Sequence, residues 1–260
     1  MQRHGTLIVC LLALCGMAQA GQSRGQTPPP AATADARTFS LRTIRQACIE
    51  FTDVKKGTEP TDLRDCRVTE FGEFGSVERQ TYYYAIYCLV PNDTAEKGNC
   101  EGDSFNAQYY SRRGLAIFAA PPRNDNARLL FERADLDLGL AVYPDKPEIL
   151  TVASGTMLYI PIQVDGTGAG NESEYYLREA GQWIAIDAES WLADLSKRIP
   201  AGLEIWKGVW PNVHTMRAEA GLYRRSDANC CPTGGRARIQ LSIRSRRFVI
   251  ESLTIEKPVG

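Results

Sequence analysis

The chain has 260 residues, 43% of them hydrophobic and 23% charged, and its 30 basic and 31 acidic residues give a net charge of −1. This length fits one large domain or two small ones, with ample apolar residues for an ordinary core. The balanced charge excludes a global field that would recruit nucleic acid, and we expect no nucleic-acid partner.

The first 20 residues have the pattern of an export signal. A basic start at Arg3 is followed by a short apolar run and by the small-x-small sequence of residues 18–20. We expect a signal peptide cleaved after Ala20 and a periplasmic or secreted mature chain with no transmembrane segment. Lipidation at Cys15 is the alternative, although Leu14 is bulky where a lipoprotein signal requires a small residue.

Six cysteines lie outside this signal, and an even number in an exported chain favours three disulfides. Pairing of neighbours along the sequence predicts the bridges Cys48–Cys66, Cys88–Cys100 and Cys230–Cys231. The first two close modest loops, and each stabilises the fold by about 3 kcal/mol. The third joins adjacent residues, whose Cα atoms are only about 3.8 Å apart, and is therefore strained. Zinc is the competing use of cysteine, but the chain lacks a C-x2-C pair, and we expect no metal and no cofactor.

The N-terminal half begins with residues 21–37, whose Pro-rich composition predicts a disordered linker. A helix follows, with Ser40 or Thr38 as its cap. The apolar residues that share one face of this helix are Leu41, Ile44, Cys48 and Phe51. Residues 53–80 are polar and glycine-punctuated, and they read as a loop with short extended pieces.

Strands are predicted next. Residues 80–90 carry apolar groups on both faces, which is typical of a central strand covered on both sides. Shorter strands are predicted at 114–120, 129–133 and 148–153. Together with the first helix, these elements make residues 38–145 an N-terminal α+β subdomain.

Residues 146–260 form a predicted C-terminal β-rich subdomain. Residues 157–164 read as a strand, and residues 174–187 as a hairpin. Asp187 then caps a helix, and strands are predicted at 203–209 and 215–223. The apolar face of that helix comprises Trp191, Leu195 and Ile199.

The chain ends in the clearest element, a hairpin. From Arg236 to Arg244 apolar and polar residues alternate strictly, and Ser245-Arg246 turns the chain back into residues 248–255. The fold class that follows is α+β, mainly antiparallel β-sheet with a few short helices, and disulfide-bonded.

Three motifs carry a resemblance. They are Gly-Thr-Gly-Ala-Gly-Asn at 166–171, Leu-Glu-Ile-Trp-Lys-Gly at 203–208, and Asp-Ala-Asn-Cys-Cys-Pro-Thr-Gly-Gly at 227–235. Over residues 147–255 the chain resembles a group of uncharacterised exported bacterial proteins that share the last motif. The resemblance implies a bacterial periplasmic or secreted setting and no known activity.

Arginine dominates the C-terminal hairpin and gives the leading hypothesis on function. From Arg217 to Arg247 there are eight arginines against two carboxylates, a local net charge of +6. Guanidinium groups suit carboxylate or phosphate recognition. We therefore expect a non-enzymatic binding or envelope-associated protein that uses the basic C-terminal hairpin, with an anionic envelope component or an acidic protein as its partner. The candidate ligand-binding residues are Arg236, Arg238, Arg244, Trp206 and Trp210.

Two alternatives stay open. A periplasmic hydrolase would use a carboxylate pair, for which Asp135 with Asp137 and Glu172 with Glu174 are candidates. A thiol redox protein would use Cys230 and Cys231, because strained bridges are more easily reduced. The lone histidine outside the signal, His214, permits a Ser-His-Asp arrangement, but it reads as an ordinary loop residue.

Overall fold

The structure is a computed structural model that describes residues 38–46, 63–91, 112–133, 142–164 and 172–257. The predicted signal peptide and linker lie outside these ranges, as do Asp135, Asp137, Cys48 and Cys100. Within the described ranges, neither helix has the length and apolar character needed to cross a membrane.

The first elements of the chain are β1 (Thr38–Ser40), α1 (Leu41–Gln46), β2 (Leu63–Val77), β3 (Gln80–Pro91), β4 (Arg112–Ala120) and β5 (Asn126–Arg133). The five strands form an antiparallel sheet, the first sheet, in the order β1-β5-β4-β3-β2. Helix α1 packs against one face of this sheet through Ile44, and Ser40 caps it by accepting the amide of Thr43 at 3.0 Å.

The next strands are β6 (Val142–Pro144), β7 (Glu148–Val152), β8 (Gly155–Ile160), β9 (Ile162–Val164), β10 (Glu174–Glu179) and β11 (Gln182–Ala185). The second sheet has the order β11-β10-β8-β7, and strands β6 and β9 form a separate antiparallel pair. The predicted strand at 157–164 is divided at Pro161, which has no amide hydrogen to donate.

The last elements are α2 (Ser190–Arg198), β12 (Arg217–Gly221), β13 (Arg236–Arg244) and β14 (Arg247–Glu256). The three strands form the third sheet, in the order β12-β13-β14, and helix α2 packs against β14. The two-residue turn between β13 and β14 has positive φ at both Ser245 and Arg246. A turn of this type matches the right-handed twist of the two strands that it joins.

The second sheet is the middle layer of the molecule, because its two faces pack against different sheets. Leu158, Ile160 and Tyr176 pack with residues of β3 and β4. Their neighbours Met157 and Tyr175 pack with α2 and the third sheet. The alternation of a strand thus joins two apolar cores across one sheet.

The two predicted subdomains share one of these cores. In addition, the Arg178 guanidinium lies 2.8 Å from the Glu78 carboxylate, across the boundary predicted near residue 145. The pairing of β6 with β9 also crosses it. The division into subdomains stays a prediction.

The predicted fold class is confirmed in its coarse form, since the described residues are mainly antiparallel sheet with two helices. The sulfur atoms of Cys230 and Cys231 are bonded, with their Cα atoms 3.8 Å apart. Cys88 is also disulfide-bonded. The partner of Cys88 is not among the described side chains. The bridges Cys88–Cys100 and Cys48–Cys66 therefore stay predictions.

Two predicted elements are wrong. Residues 63–77, expected within a loop, form the long strand β2, whose pairing with β3 shifts register at three points. These bulges break the alternation that would have marked a strand. Residues 203–209, expected as a strand, make a single bridge at Glu204 to Tyr223.

Candidate functional site

The described residues form an open cleft of about 720 Å³ whose lining includes Trp210. The indole is 49% exposed and is the one large hydrophobic side chain that the described ranges leave exposed. Three segments line this Trp210 cleft: the turn before β7, the β8–β9 corner and residues 210–214. A concave surface that combines an apolar ring with polar groups is the usual form of a ligand site.

The segment that carries Trp210 alternates between buried and exposed residues. The buried positions are Val209, Pro211 and Val213, and the exposed positions are Trp210, Asn212 and His214. The side-chain oxygen of Asn212 accepts the amides of His214 and Thr215, each at 3.1 Å, which fixes a tight turn. The alternation therefore presents an aromatic ring, an amide and an imidazole on the solvent side.

The opposite wall is the turn before β7. Pro144 and Pro147 are buried, and the two residues between them are exposed. The amide of Asp145 donates to the carbonyl oxygen of Pro161 at 3.0 Å, and its carboxylate accepts the amide of Lys146 at 2.6 Å. The buried prolines thus anchor a turn that presents one carboxylate and one ammonium group to the cleft.

Tyr159 also lines the cleft. Its ring stacks on that of Tyr175 with centroids 5.4 Å apart, and it lies opposite Glu148 in the β7–β8 register. Burial raises the pKa of the Tyr159 hydroxyl, with the charges of Glu148 and Asp145 adding to the shift and a hydrogen bond with Ser173 opposing it. The hydroxyl therefore stays protonated at neutral pH and can donate a hydrogen bond.

The cleft has a mixed charge. The imidazole Nε2 of His214 lies 3.6 Å from a carboxylate oxygen of Glu148, and both side chains are about half exposed. Asp145 adds a second carboxylate and Lys146 a compensating ammonium group. The described residues that line the cleft include no serine, threonine or cysteine, so the Ser-His-Asp arrangement gains no support from it.

The predicted arginine site is a face of exposed ion pairs. Its members lie on the outer face of the third sheet, which we call the arginine face: Arg217, Glu219, Arg236, Arg238, Arg244, Glu251 and Glu256. Arg236 lies 3.1 Å from Glu219, Arg238 lies 3.0 Å from Glu256, and Arg244 lies 2.7 Å from Glu251. The local sequence count omitted Glu251 and Glu256, which the fold brings beside the arginines.

The two candidate tryptophans have different environments. The ring of Trp206 stacks on that of Tyr223 with centroids 4.5 Å apart, and its indole N–H donates to the Glu204 carboxylate at 2.8 Å. Trp206 is therefore engaged in intramolecular packing outside the cleft, and Trp210 is part of the cleft lining. The two tryptophans do not share a strand face, because the strand expected at residues 203–209 does not form.

The carboxylates Glu172 and Glu174 converge on a guanidinium rather than on a cleft. Arg133 lies 2.9 Å from Glu172 and 3.1 Å from Glu174, and Tyr176 donates to the second oxygen of Glu174 at 2.5 Å. This pairing neutralises one of the two charges and satisfies both groups. It removes Glu172 and Glu174 as a free catalytic pair.

Sequence reasoning named Trp210 and considered His214, but it missed Asp145, Glu148 and Tyr159. The Pro-Asp-Lys-Pro sequence at 144–147 was the available signal, because two prolines around polar residues favour a tight exposed turn. Comparison with known proteins gives no match to a family model, to a curated protein or to a solved structure. The site is therefore interpreted from its geometry.

Proposed function

We propose that the protein is an exported, non-catalytic binding protein whose ligand lies in the Trp210 cleft. The observation that carries this proposal is the half-exposed indole in the lining of a cleft with polar walls. Export is the expectation from the N-terminal sequence pattern. The binding role keeps the leading hypothesis of the sequence and moves its site from the arginine face to the cleft.

The proposed ligand is a neutral glycan. A sugar ring offers an apolar C–H face, which suits stacking on an indole, and hydroxyl groups, which suit carboxylates and amides. The cleft supplies these acceptors through Asp145 and Glu148, and Gln163 adds a side-chain amide. An anionic ligand is disfavoured because it would meet two carboxylates against one lysine and one partly exposed histidine.

The test compares a neutral and an anionic oligosaccharide by calorimetry on the mature chain. The neutral probes are an N-acetylglucosamine tetramer and cellotetraose, and the anionic probe is a heparin tetrasaccharide. We expect a neutral probe to bind and Trp210→Ala to weaken it at least tenfold, which corresponds to about 1.4 kcal/mol. Trp210→Phe keeps an aromatic face and should retain most of the affinity.

A charge-reversed arginine face is the matched control. Arg236→Glu, Arg238→Glu and Arg244→Glu together should leave binding of the neutral probe unchanged, because these residues do not line the cleft. Binding of heparin alone, abolished by this triple change and insensitive to Trp210→Ala, would return the site to the arginine face. Failure of every probe to bind would contradict the glycan proposal.

A further inference from the structure

The adjacent cysteines Cys230 and Cys231 form a disulfide in the connection between β12 and β13. Both side chains are exposed, as are the neighbouring residues Asn229 and Pro232. The bond is thus open to reagents in solution. It is separate from the Trp210 cleft, whose lining it does not enter.

This disulfide is not a staple of the fold. A disulfide stabilises mainly by closing a loop in the unfolded chain, and the benefit grows with the length of that loop. Because Cys230 and Cys231 are one residue apart, the bond cross-links no distant parts of the chain. A structural benefit from loop closure is therefore absent.

Other contacts already hold the connection in shape. The carboxylate of Asp227 accepts the amides of Arg224 at 2.7 Å and Thr233 at 2.8 Å, and the hydroxyl of Thr233 at 2.6 Å. Although partial desolvation opposes the shift, these hydrogen bonds and the charge of Arg224 lower the pKa of Asp227. The carboxylate thus stays ionised and closes the loop at neutral pH.

The base of the connection is packed against the protein. Gly234 is buried, its amide donates to the carbonyl oxygen of Leu222 at 2.8 Å, and an added Cβ would lie 2.6 Å from a methyl group of Leu203. The tip is also tied, because the hydroxyl of Tyr223 donates to the carbonyl oxygen of Asn229 at 3.2 Å. Opening the disulfide would therefore change the tip and leave its surroundings in place.

We propose that Cys230–Cys231 is a thiol–disulfide exchange site that accepts two electrons from an extracytoplasmic dithiol protein. The adjacent Cα atoms are 3.8 Å apart, below the usual range of about 4.4–6.8 Å for disulfides. Exposed disulfides with such constrained geometry are the more readily reduced ones. This activity is independent of the proposed ligand in the cleft.

The exchange balances in two steps. A thiolate of the dithiol attacks one sulfur, the Cys230–Cys231 bond breaks, and a mixed disulfide forms while the released cysteine takes up a proton. The second thiol of the partner then attacks the partner's first sulfur in the mixed disulfide. This step releases the second cysteine of the pair as a thiol. The partner leaves with an internal disulfide, and the chain retains two thiols, having gained two electrons and two protons.

The first experiment measures selective reduction in the intact mature chain. The protein is equilibrated with increasing dithiothreitol, alkylated and digested with trypsin, so that residues 226–236 report on the adjacent pair and residues 80–97 on Cys88. The disulfide of Cys88 is an internal control, because this cysteine is 1% exposed. We expect the adjacent pair to be half-reduced at a dithiothreitol concentration at least tenfold lower than Cys88.

The second experiment traps the exchange. A thioredoxin whose resolving cysteine is replaced by alanine should form a mixed disulfide with the intact mature chain. Tryptic digestion should locate that disulfide in residues 226–236. The double variant Cys230→Ser with Cys231→Ser should form none, and its melting temperature should lie within about 2 °C of the parent. The thermal result separates a chemical role from a structural one.

Three outcomes would overturn the proposal. Reduction of the adjacent pair at the same concentration as Cys88, or at a higher one, would show that it is an inert bond. Alkylation of both cysteines without reductant would show that no disulfide forms. A double variant that melts much lower, or fails to fold, would show that the bond is structural after all.

Discussion

The third sheet has an apolar face and a charged face on the same strands. On its inner face, Ile239 and Phe248 are almost fully buried against α2 and the second sheet. On the outer face, Arg236 and Arg244 are more than half exposed and paired with carboxylates. A buried apolar face contributes about 1.5–3 kcal/mol per large side chain, whereas exposed ion pairs contribute about 0–1 kcal/mol each. Stability and charge are therefore separated across one sheet.

The substitution with the largest expected effect on stability is Phe248→Ala on the inner face. Phe248 is 1% exposed and its ring packs edge-on against Tyr175 with centroids 5.0 Å apart. Loss of the ring leaves a cavity, and we expect the free energy of unfolding to fall by about 3–5 kcal/mol. Urea denaturation measures this loss. The matched control is Val249→Ala, one residue along on the outer face, which should cost less than about 1 kcal/mol. Equal losses would contradict the separation of the two faces.

A second test compares the exposed ion pairs with the more protected cluster around Arg133. The Arg133 side chain is 23% exposed, and it donates three hydrogen bonds to Glu172 and Glu174. Hydrogen bonds to charged groups contribute more than neutral ones, and we expect Arg133→Met to cost about 2 kcal/mol in urea denaturation. Lys197→Met, which removes an exposed pair with Asp194, should be close to neutral. A neutral Arg133→Met would mean that water substitutes freely in the cluster.

The third test addresses the residue that connects α2 to the C-terminal hairpin. The Asp187 carboxylate accepts the backbone amides of Glu189 at 3.0 Å and Ser190 at 2.9 Å. The backbone amide of Asp187 donates to the carbonyl oxygen of Arg246, and its carbonyl oxygen accepts the amide of Phe248. The prediction that Asp187 caps the helix is wrong in position, because the N-cap is Glu189 and Asp187 lies two residues before it. Asp187→Ala nevertheless leaves the amides of Glu189 and Ser190 without this acceptor. We expect it to cost about 1 kcal/mol at pH 7.

The pH dependence of that cost follows from the sign of the pKa shift. Although desolvation opposes it, hydrogen bonds from Ser190 and Glu189 and the charge of Arg247 lower the pKa of Asp187. The stabilisation is therefore complete above the unfolded pKa of about 3.9 and is lost as pH falls through the lower folded pKa. Urea denaturation of parent and Asp187→Ala should converge towards pH 2. A difference that is constant with pH would contradict the role of the ionised carboxylate.

The sequence predicted β13 to the residue, but it predicted only a loop with short extended pieces where the long strand β2 lies, and the difference has a physical reason. In β13 every second residue is buried, and the strand has one register shift in its pairing with β14. In β2 three shifts interrupt the pairing, so that no single two-residue period runs through it. Gly72 also lies under the ring of Tyr84, where an added Cβ would be 2.9 Å from the ring, and this glycine had looked like a loop signal.

The candidate site was less predictable than the fold. Trp210 was named from its residue type, but the opposite wall of its cleft comes from residues 145–148, more than 60 positions earlier. Local charge was misleading for the same reason. The carboxylates Glu251 and Glu256 lie beyond the arginine-rich stretch and return to it only through strand pairing. A pattern within one segment contains no information on partners that tertiary structure supplies.

The smallest effect concerns the arginine face itself. Arg238 lies 3.6 Å from Glu219, and both side chains are about half exposed. A double-mutant cycle with Arg238→Gln and Glu219→Gln isolates their interaction, and we expect a coupling of less than about 1 kcal/mol that declines from 0.05 M to 1 M salt. Arg217→Gln, whose side chain bonds neutral Gln240, provides a salt-insensitive comparison. A coupling above about 2 kcal/mol would mean that this face is a rigid network. A coupling below about 1 kcal/mol means that the carboxylates of the arginine face balance the charge of the arginines without fixing their positions. The side-chain packing that holds the sheet then lies on its inner face.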